Sequence, residues 1–327
     1  MIELPVRQVK VEDVVQETTR EDAIERMSTT FRAVEESGQL DAVALQKIAD
    51  SIMMDVIDRK ENLLQLTDIR LHDKYTFAHS VNVAIISAMI GGLLKLPKDE
   101  LSILTLGGLL HDLGKIKVAS EILNKNGRLN DEEFNEIKHH PIEGARRIEA
   151  MASMLPKPDI LARIAREHHE HLDGTGYPDH KKGDEIHKFS KVVAIADVYD
   201  ALTSERSYKK PYTPSVTRNI MMNLSKGHFD EDLIRLFFNN VAVYPVGTIL
   251  KTIYGFGIVT KCEFGHTETP SICVFADIQG NVLDKPERID LKDDGTRAIE
   301  MEISGIELLH FIHHLTVNPM IYLTEEA

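Results

Sequence analysis

Residues 111–115 read HDLGK and directly follow the apolar run LSILTLGGLL. A histidine and an aspartate at the end of a buried-looking helix are costly to desolvate. Similar groups recur at His79 in YTFAHSVNVA, at His140, at the pair His168-His169, and at Asp197 inside KVVAIADVYDAL. His79 taken alone passes for a core histidine, since Val83, Ile86 and Ile90 share its helix face. Asp197 does not: an unpaired carboxylate among apolar residues must lose its charge or find a partner. A buried divalent cation removes the difficulty for all of these groups together. Imidazole and carboxylate without thiolate suit iron, manganese or zinc at a catalytic site. Five histidines and two aspartates exceed what one ion with an open position needs. The expectation is two ions, bridged by an aspartate and a hydroxide, a pair that activates water and stabilises in-line displacement at phosphorus.

Helices must position these groups. The pattern predicts one helix over 76–95, ended near Pro97, and the next over 98–111, with Pro97 and Asp99 suiting its first turn. Pro141 opens another, running to about 151, and 159–170, 188–203, 214–224 and 230–240 read as four more. DGTGYPDHKKGDE reads as a loop from its Gly, Pro and Asp content. Upstream, residues 20–65 carry helical apolar spacing at Ile24, Met27, Phe31 and Val34, then Val43, Leu45, Ile48, Ile52 and Val56, with Gly38 separating two helices. This acidic stretch shows no chemistry and is expected to pack or dimerise; about 65 residues cannot supply a doubly wound receiver sheet.

After Tyr244-Pro245 the stretches GTILKTIY, GIVTKCEF, SICVFADI and the residues around ERIDL are short and β-rich. They predict a small antiparallel β unit, followed by a last helix or strand through ISGIELLHFIHHL. His310, His313 and His314 could share a helix face there, but no carboxylate partner is near, so they are read as surface or core residues. The fold class is therefore mainly α: a helical bundle at 66–244, an N-terminal helical segment at 1–65 and a small β-rich domain at 245–327.

Composition narrows the function. The 327 residues are 43% hydrophobic and 28% charged, ordinary for a globular protein. The longest apolar run, IISAMIGGLL, is far short of a membrane span, and the N-terminus lacks an export signal, so a cytoplasmic location without membrane association is expected. Cys262 and Cys273 are the only cysteines, against both a disulfide framework and a thiolate metal site. The net charge of −14 speaks against a nucleic-acid polymer as partner. That charge is uneven: −6 over 1–65, −1 over 66–244 and −7 over 245–327, with 11 of the 15 histidines in the middle. An anionic small molecule is tolerated best there.

The order H…HD…HH…D, carried by YTFAHSVNVA, GGLLHDLGK, HHPIEGA, REHHEHLDGTGYP and AIADVYDALTSERSYKK, resembles the HD-GYP domain, a branch of the HD phosphohydrolase superfamily. These stretches span the whole middle segment. The resemblance implies that His79, His111, Asp112 and Asp197 hold one metal, and that Asp112 bridges to a second completed by His140, His168 and His169. It places Lys115 on the scissile phosphate, Gly176, Tyr177 and Pro178 along the substrate cleft with Tyr177 near a guanine, and Arg206 and Lys209 on the non-reacting phosphate or its base. The implied activity is hydrolysis of cyclic di-GMP to pGpG and often GMP, with two divalent ions per chain, iron first and manganese next. Cyclic GMP-AMP on the same machinery, or a non-hydrolysing binding module, are the alternatives; a homodimer through the N-terminal helices and signalling partners are further expectations.

The chain departs from the family at His171 and Leu172, where a basic residue and an aromatic are more usual. His139, His171, His180 and His187 match no required family position and are expected at the surface. Some members add a third metal through a glutamate four residues before the first histidine. Here that position is Tyr75, a poor ligand for a hard cation, and Asp73 is off register, so two metals are expected, with Tyr75 closing the cleft.

Overall fold

Breakers divide the N-terminal stretch where the sequence places them. In the computed structural model, which describes residues 13–59, 76–123, 125, 127–204, 210–304 and 319–323, helix α1 (Glu17–Ser37) stops at Gly38. The φ of 71° there lets the Gly38 N–H return to the Val34 carbonyl. Helix α2 (Ala42–Asp58) restarts at Asp41, whose carboxylate accepts the Ala44 N–H at 2.9 Å. Met27, Phe31, Val34, Leu45, Ile48, Ile52 and Val56 are buried as their spacing predicts. Two positions of that stripe differ. Ile24 is only half-buried, because Arg20 and Ala23 hold the inward positions of the first turns, and Val43 is 66% exposed, because the stripe turns inward at Leu45.

The N-terminal helices share their core with the rest of the bundle. One apolar core runs from Val14 through α3 (Thr76–Leu93), α4 (Lys98–Leu110), α7 (His140–Ala150), α8 (Pro158–Glu167), α9 (Lys188–Thr203), α10 (Pro214–Leu224) and α11 (Glu231–Phe238) to Val241, while the short α5 (Ser120–Leu123) and α6 (Asp131–Ile137) bury no residue. α4 is buried on every side after its first turn, as a helix apolar all round must be. The ranges 188–203 and 214–224 coincide with the sequence reading. α8 ends at Glu167, short of 170. Consecutive residues of a continuing helix diverge in direction, so this early stop frees His168 and His169 to turn to the same side. α6 is an addition to the sequence reading, although its capping box is written there: Asn130 and Glu133 exchange hydrogen bonds, each at 2.8 Å.

Beyond Pro245, β1 (Ile249–Thr252), β2 (Gly255–Lys261), β3 (Ser271–Ala276), β4 (Val282–Asp290) and β5 (Ile299–Ile303) form an antiparallel sheet in the order β4-β3-β2-β1-β5. Alternate residues are buried on its two faces, Ile249, Ile258 and Phe275 on one, Leu250, Val259 and Val274 on the other. β5, too, is an addition to the sequence reading. The sheet unit is tied to the helical part by the Ser215 hydroxyl donating to Glu302, by the Arg218–Glu268 ion pair, and by Thr267 Oγ1 donating to the Phe238 carbonyl at 2.6 Å. The segment with His310, His313 and His314 lies outside the described residues. Among the described residues no helix is long and apolar enough to cross a membrane.

Candidate metal centre

Each candidate ligand stands at a helix boundary or on an inward face. His79 is in the first turn of α3, His111 closes α4, and Asp112 opens the 3-10 turn Leu113–Lys117. His140 opens α7, His168 and His169 come just after α8, and Asp197 is buried in α9. The glycine of HDLGK is needed for this convergence. A Cβ on Gly114 would fall 2.0 Å from the His140 carbonyl oxygen, so only glycine lets the turn after Asp112 lie against the start of α7.

All seven residues meet in one cluster, and Asp112 divides it. Asp112 Oδ2 is 3.4 Å from His111 Nε2 and 3.6 Å from His79 Nε2, while Oδ1 is 3.3 Å from His140 Nε2 and 3.8 Å from His168 Nε2. Asp197 also spans the two halves, with Oδ1 3.1 Å from His79 Nε2 and Oδ2 3.8 Å from His169 Nδ1. The donor atoms of His79, His111 and Asp112 lie within 4.8 Å of one another, as do those of His140, His168 and His169. Lys115 Nζ stands 2.5 Å from Asp112 Oδ2.

The hydrogen bonds behind the rings fix their tautomers. A carbonyl can only accept, so His111 Nδ1–H donates to Gly108 at 2.7 Å, His140 Nδ1–H to Ile137 at 2.7 Å, and His168 Nδ1–H to Ala165 at 2.9 Å. In the neutral ring each then turns an Nε2 lone pair inward. His140 Nε2 and His168 Nε2 face each other at 3.2 Å, an arrangement that repels unless a cation is shared. His111 Nε2 and Asp112 Oδ1 are buried without a hydrogen-bond partner. Backbone-anchored imidazoles with inward lone pairs and a carboxylate between them are a donor set that fits divalent cations.

The halves differ in charge. Burial would push the His79 imidazole down, but its hydrogen bonds to Asp197 and Asp200 outweigh this and raise it to about 10. Burial pushes His169 down to about 3, and burial with the neighbouring imidazoles holds His168 well below the usual imidazole range. Burial opposes ionisation of Asp112 and Asp197 too, yet His111 and Lys115 around the first, and His79 beside the second, hold both carboxyls well below the usual range.

The predicted cleft residues frame the His169 side. The Tyr177 ring stacks on His169 with centroids 4.8 Å apart and planes at 26°, and the Tyr177 N–H donates to the His169 carbonyl at 3.1 Å. A Cβ on Gly176 would fall 2.3 Å from the His171 nitrogen, so the loop closes this tightly only with glycine. Pro178 comes next, half-buried. Arg206, Lys209 and Tyr75 lie outside the described residues. Of the histidines expected at the surface, His139 and His180 are exposed. His171 and His187 are half-buried instead: the His171 ring stacks on His228 at 3.8 Å, and His187 Nδ1 accepts the Phe189 N–H at 3.2 Å to cap α9.

Three acids absent from the sequence reading hold this arrangement. Glu170 accepts the Asp179 and Lys181 N–H groups at 2.6 and 3.0 Å, fastening the chain just after Pro178, and burial raises its carboxyl despite those bonds. Glu167, fully buried, accepts from Arg163, Lys181 and the His187 N–H at 2.8, 2.7 and 2.7 Å. Asp200 accepts the His79 Nδ1–H at 2.7 Å. Their signal is an acidic residue one to three positions after a candidate ligand, or just before one.

The helical bundle and its histidine–aspartate centre define a member of a known class. The HD domain family model matches residues 52–233, and the chain belongs to that family. It is 33% identical over 262 residues to the cyclic di-GMP phosphodiesterase PA4108 of Pseudomonas aeruginosa, covering 80% of this chain and 62% of that protein. It is 34% identical to the cyclic di-GMP phosphodiesterase response regulator RpfG of Xanthomonas campestris pv. campestris, covering 56% of this chain and 48% of that one. It is 30% identical to the 3'3'-cGAMP-specific phosphodiesterase 2 of Vibrio cholerae, covering 58% of this chain and 36% of that one. The chain thus spans less than two thirds of the length of each of these relatives. The solved structure of Bd1817, a HDG"Y"P protein from Bdellovibrio bacteriovorus, shares the fold at a TM-score of 0.56 and 19% identity, covering 70% of this chain and 73% of that one. The HD-GYP resemblance of the sequence motifs agrees with these matches.

Proposed function

We propose that this chain hydrolyses the 3′–5′ phosphodiester of cyclic di-GMP to pGpG, and onward to GMP, in a metal-dependent reaction. The observation that carries the reading is Asp112, whose two oxygens face two different sets of imidazoles. Two divalent ions per chain, iron first and manganese next, match these donors: His79, His111, Asp112 and Asp197 on one side, Asp112, His140, His168 and His169 on the other. When bound, such ions supply an activated water and offset charge on the phosphoryl oxygens.

The remaining work belongs to side chains. The Lys115 ammonium, beside Asp112, contacts the scissile phosphate and stabilises the charge that develops there. Tyr177 presents its ring face beside a guanine, with Gly176 and Pro178 shaping the wall and Glu170 fastening it. Arg206 and Lys209 hold the non-reacting phosphate or its base. Residues 66–244 form the catalytic unit, while 1–65 and 245–327 regulate or cap it; the exposed Val43 and Met54 of α2 supply the surface for a homodimer. The protein works in the cytoplasm, where signalling partners reach it.

Cyclic GMP-AMP is a second reading for the same machinery, favoured by the 30–38% identity to 3'3'-cGAMP-specific phosphodiesterases of Vibrio cholerae. A non-hydrolysing module is disfavoured, because every candidate ligand is retained. The test is turnover of both dinucleotides by anaerobically purified protein, with products separated by chromatography. Faster hydrolysis of cyclic di-GMP supports the proposal; exclusive hydrolysis of cyclic GMP-AMP transfers it to that substrate, and binding without hydrolysis overturns it.

A further inference from the structure

The family match begins at residue 52, yet a chain of hydrogen bonds reaches the metal centre from α1. Arg20 is 2% exposed and occupies the inward stripe of that helix beside Ala23 and Met27. Such a position ordinarily holds an apolar side chain, and a buried ion pair is a poor source of stability. Its guanidinium donates from Nη1 to Asn82 Oδ1 at 2.7 Å and from Nη2 to Asp13 Oδ2 at 2.6 Å. Asn82 Nδ2 donates to Asp200 Oδ1 at 2.8 Å, an oxygen that also accepts the Ser204 hydroxyl at 2.8 Å. The other Asp200 oxygen accepts the His79 Nδ1–H at 2.7 Å.

The relay is anchored at both ends. An amide has one accepting and one donating end, so between a guanidinium and a carboxylate it has a single satisfied orientation. With Arg20 absent, the buried Asn82 oxygen loses its donor, and the amide is no longer pinned in place against Asp200. With Arg20 present, Asp200 is held by Asn82 and Ser204 and in turn holds the His79 Nδ1–H. That bond keeps His79 Nε2 facing Asp112 and Asp197.

We propose that Arg20 is a positioning residue of the metal centre: through Asn82 and Asp200 it orients His79 and thereby sets the affinity of the His79 half for a divalent cation. The inference rests on the reading of the cluster as a metal site. It makes the segment upstream of the family match part of the centre's construction.

The experiment is Mn²⁺ titration of the EDTA-stripped full chain by calorimetry, comparing the parent with Arg20→Met, Asn82→Leu and Asp13→Asn. Loss of an outer partner of a ligating histidine typically costs roughly 10–100-fold in metal affinity. Arg20→Met is expected to weaken one binding step by that factor and leave the other unchanged. Asn82→Leu, nearly isosteric, cuts the same relay one bond nearer the site and decides the matter if Arg20→Met does not fold. Asp13→Asn weakens the Arg20 ion pair without touching the Asn82 bond, and is expected to lower the melting temperature with both Mn²⁺ steps within about twofold of the parent. An Arg20→Met chain that binds every ion as tightly as the parent overturns the inference alone. So does equal weakening in Asp13→Asn, which would mark general loosening. A parent chain that takes up no Mn²⁺ overturns the metal-site reading and this inference with it.

Discussion

The two halves of the cluster use the same imidazoles in opposite states. On one side His79 lies against Asp197 and Asp200 and holds its proton to about pH 10. On the other, His168 and His169 lie among imidazoles, and burial leaves them neutral, His169 down to about pH 3. The first half attracts positive charge, and a proton competes with a metal for it. The second presents lone pairs with no proton between them. Asp112 belongs to both, and the contrast shows that a ligand's protonation is set by the groups behind it rather than by its residue type.

The largest expected effect is on the group the halves share. Asp112→Ala should lower metal content to background and abolish phosphodiester hydrolysis, with the helical circular dichroism retained. Elemental analysis of the purified variant checks this, and two ions with near-normal turnover would break the comparison outright.

A one-sided change sharpens it. Gly176→Ala puts a Cβ where the His171 backbone already stands, so the Tyr177 stack on His169 must open while the His79 half is undisturbed. KM for cyclic di-GMP is expected to rise about tenfold, equivalent to about 1.4 kcal/mol. Steady-state kinetics with metal analysis on the same sample tests whether the metals stay.

The pH dependence of the metal-free chain separates the halves directly. His79, raised from 6.5 to about 10, binds more proton folded than unfolded; its stabilisation is full below pH 6.5 and is lost as pH rises toward 10. His169, lowered from 6.5 to about 3, does the reverse: below pH 6.5 the unfolded chain takes up the proton first, and stability falls toward pH 3. Urea midpoints in EDTA should therefore fall on both sides of neutrality. His79→Gln should flatten the alkaline limb and His169→Gln the acid limb; the opposite assignment would contradict the charge contrast. The smallest effect is expected from Tyr177→Phe, which keeps the stacked ring: KM and metal content should change by less than about twofold, against a clear loss for Tyr177→Ala.

The seven ligand candidates are legible in the sequence because each is a polar group in an apolar stretch with fixed neighbours: His111 after LSILTLGGLL, Asp197 within KVVAIADVYDAL. Their supports are not. Asp200, Asn82 and Arg20 are far apart in sequence and meet only because α1, α3 and α9 pack together. No local spacing announces such a meeting. Glu170 sits in the HHE triplet, but its partners are backbone N–H groups of Asp179 and Lys181, which depend on how the loop turns. Among the elements, α6 and β5 are within reach of the sequence. The Asn130–Glu133 capping box marks one. The alternation in IEMEI marks the other, although the longer apolar run after it overshadows a short strand.

The most direct test of a cluster divided by Asp112 is anomalous diffraction from crystals of the metal-loaded protein, grown anaerobically. Two peaks are expected, one among His79, His111, Asp112 and Asp197, the other among Asp112, His140, His168 and His169, each within bonding distance of an Asp112 oxygen. A single peak, a third fully occupied ion held by protein ligands, or an Asp112 that touches only one metal would contradict it.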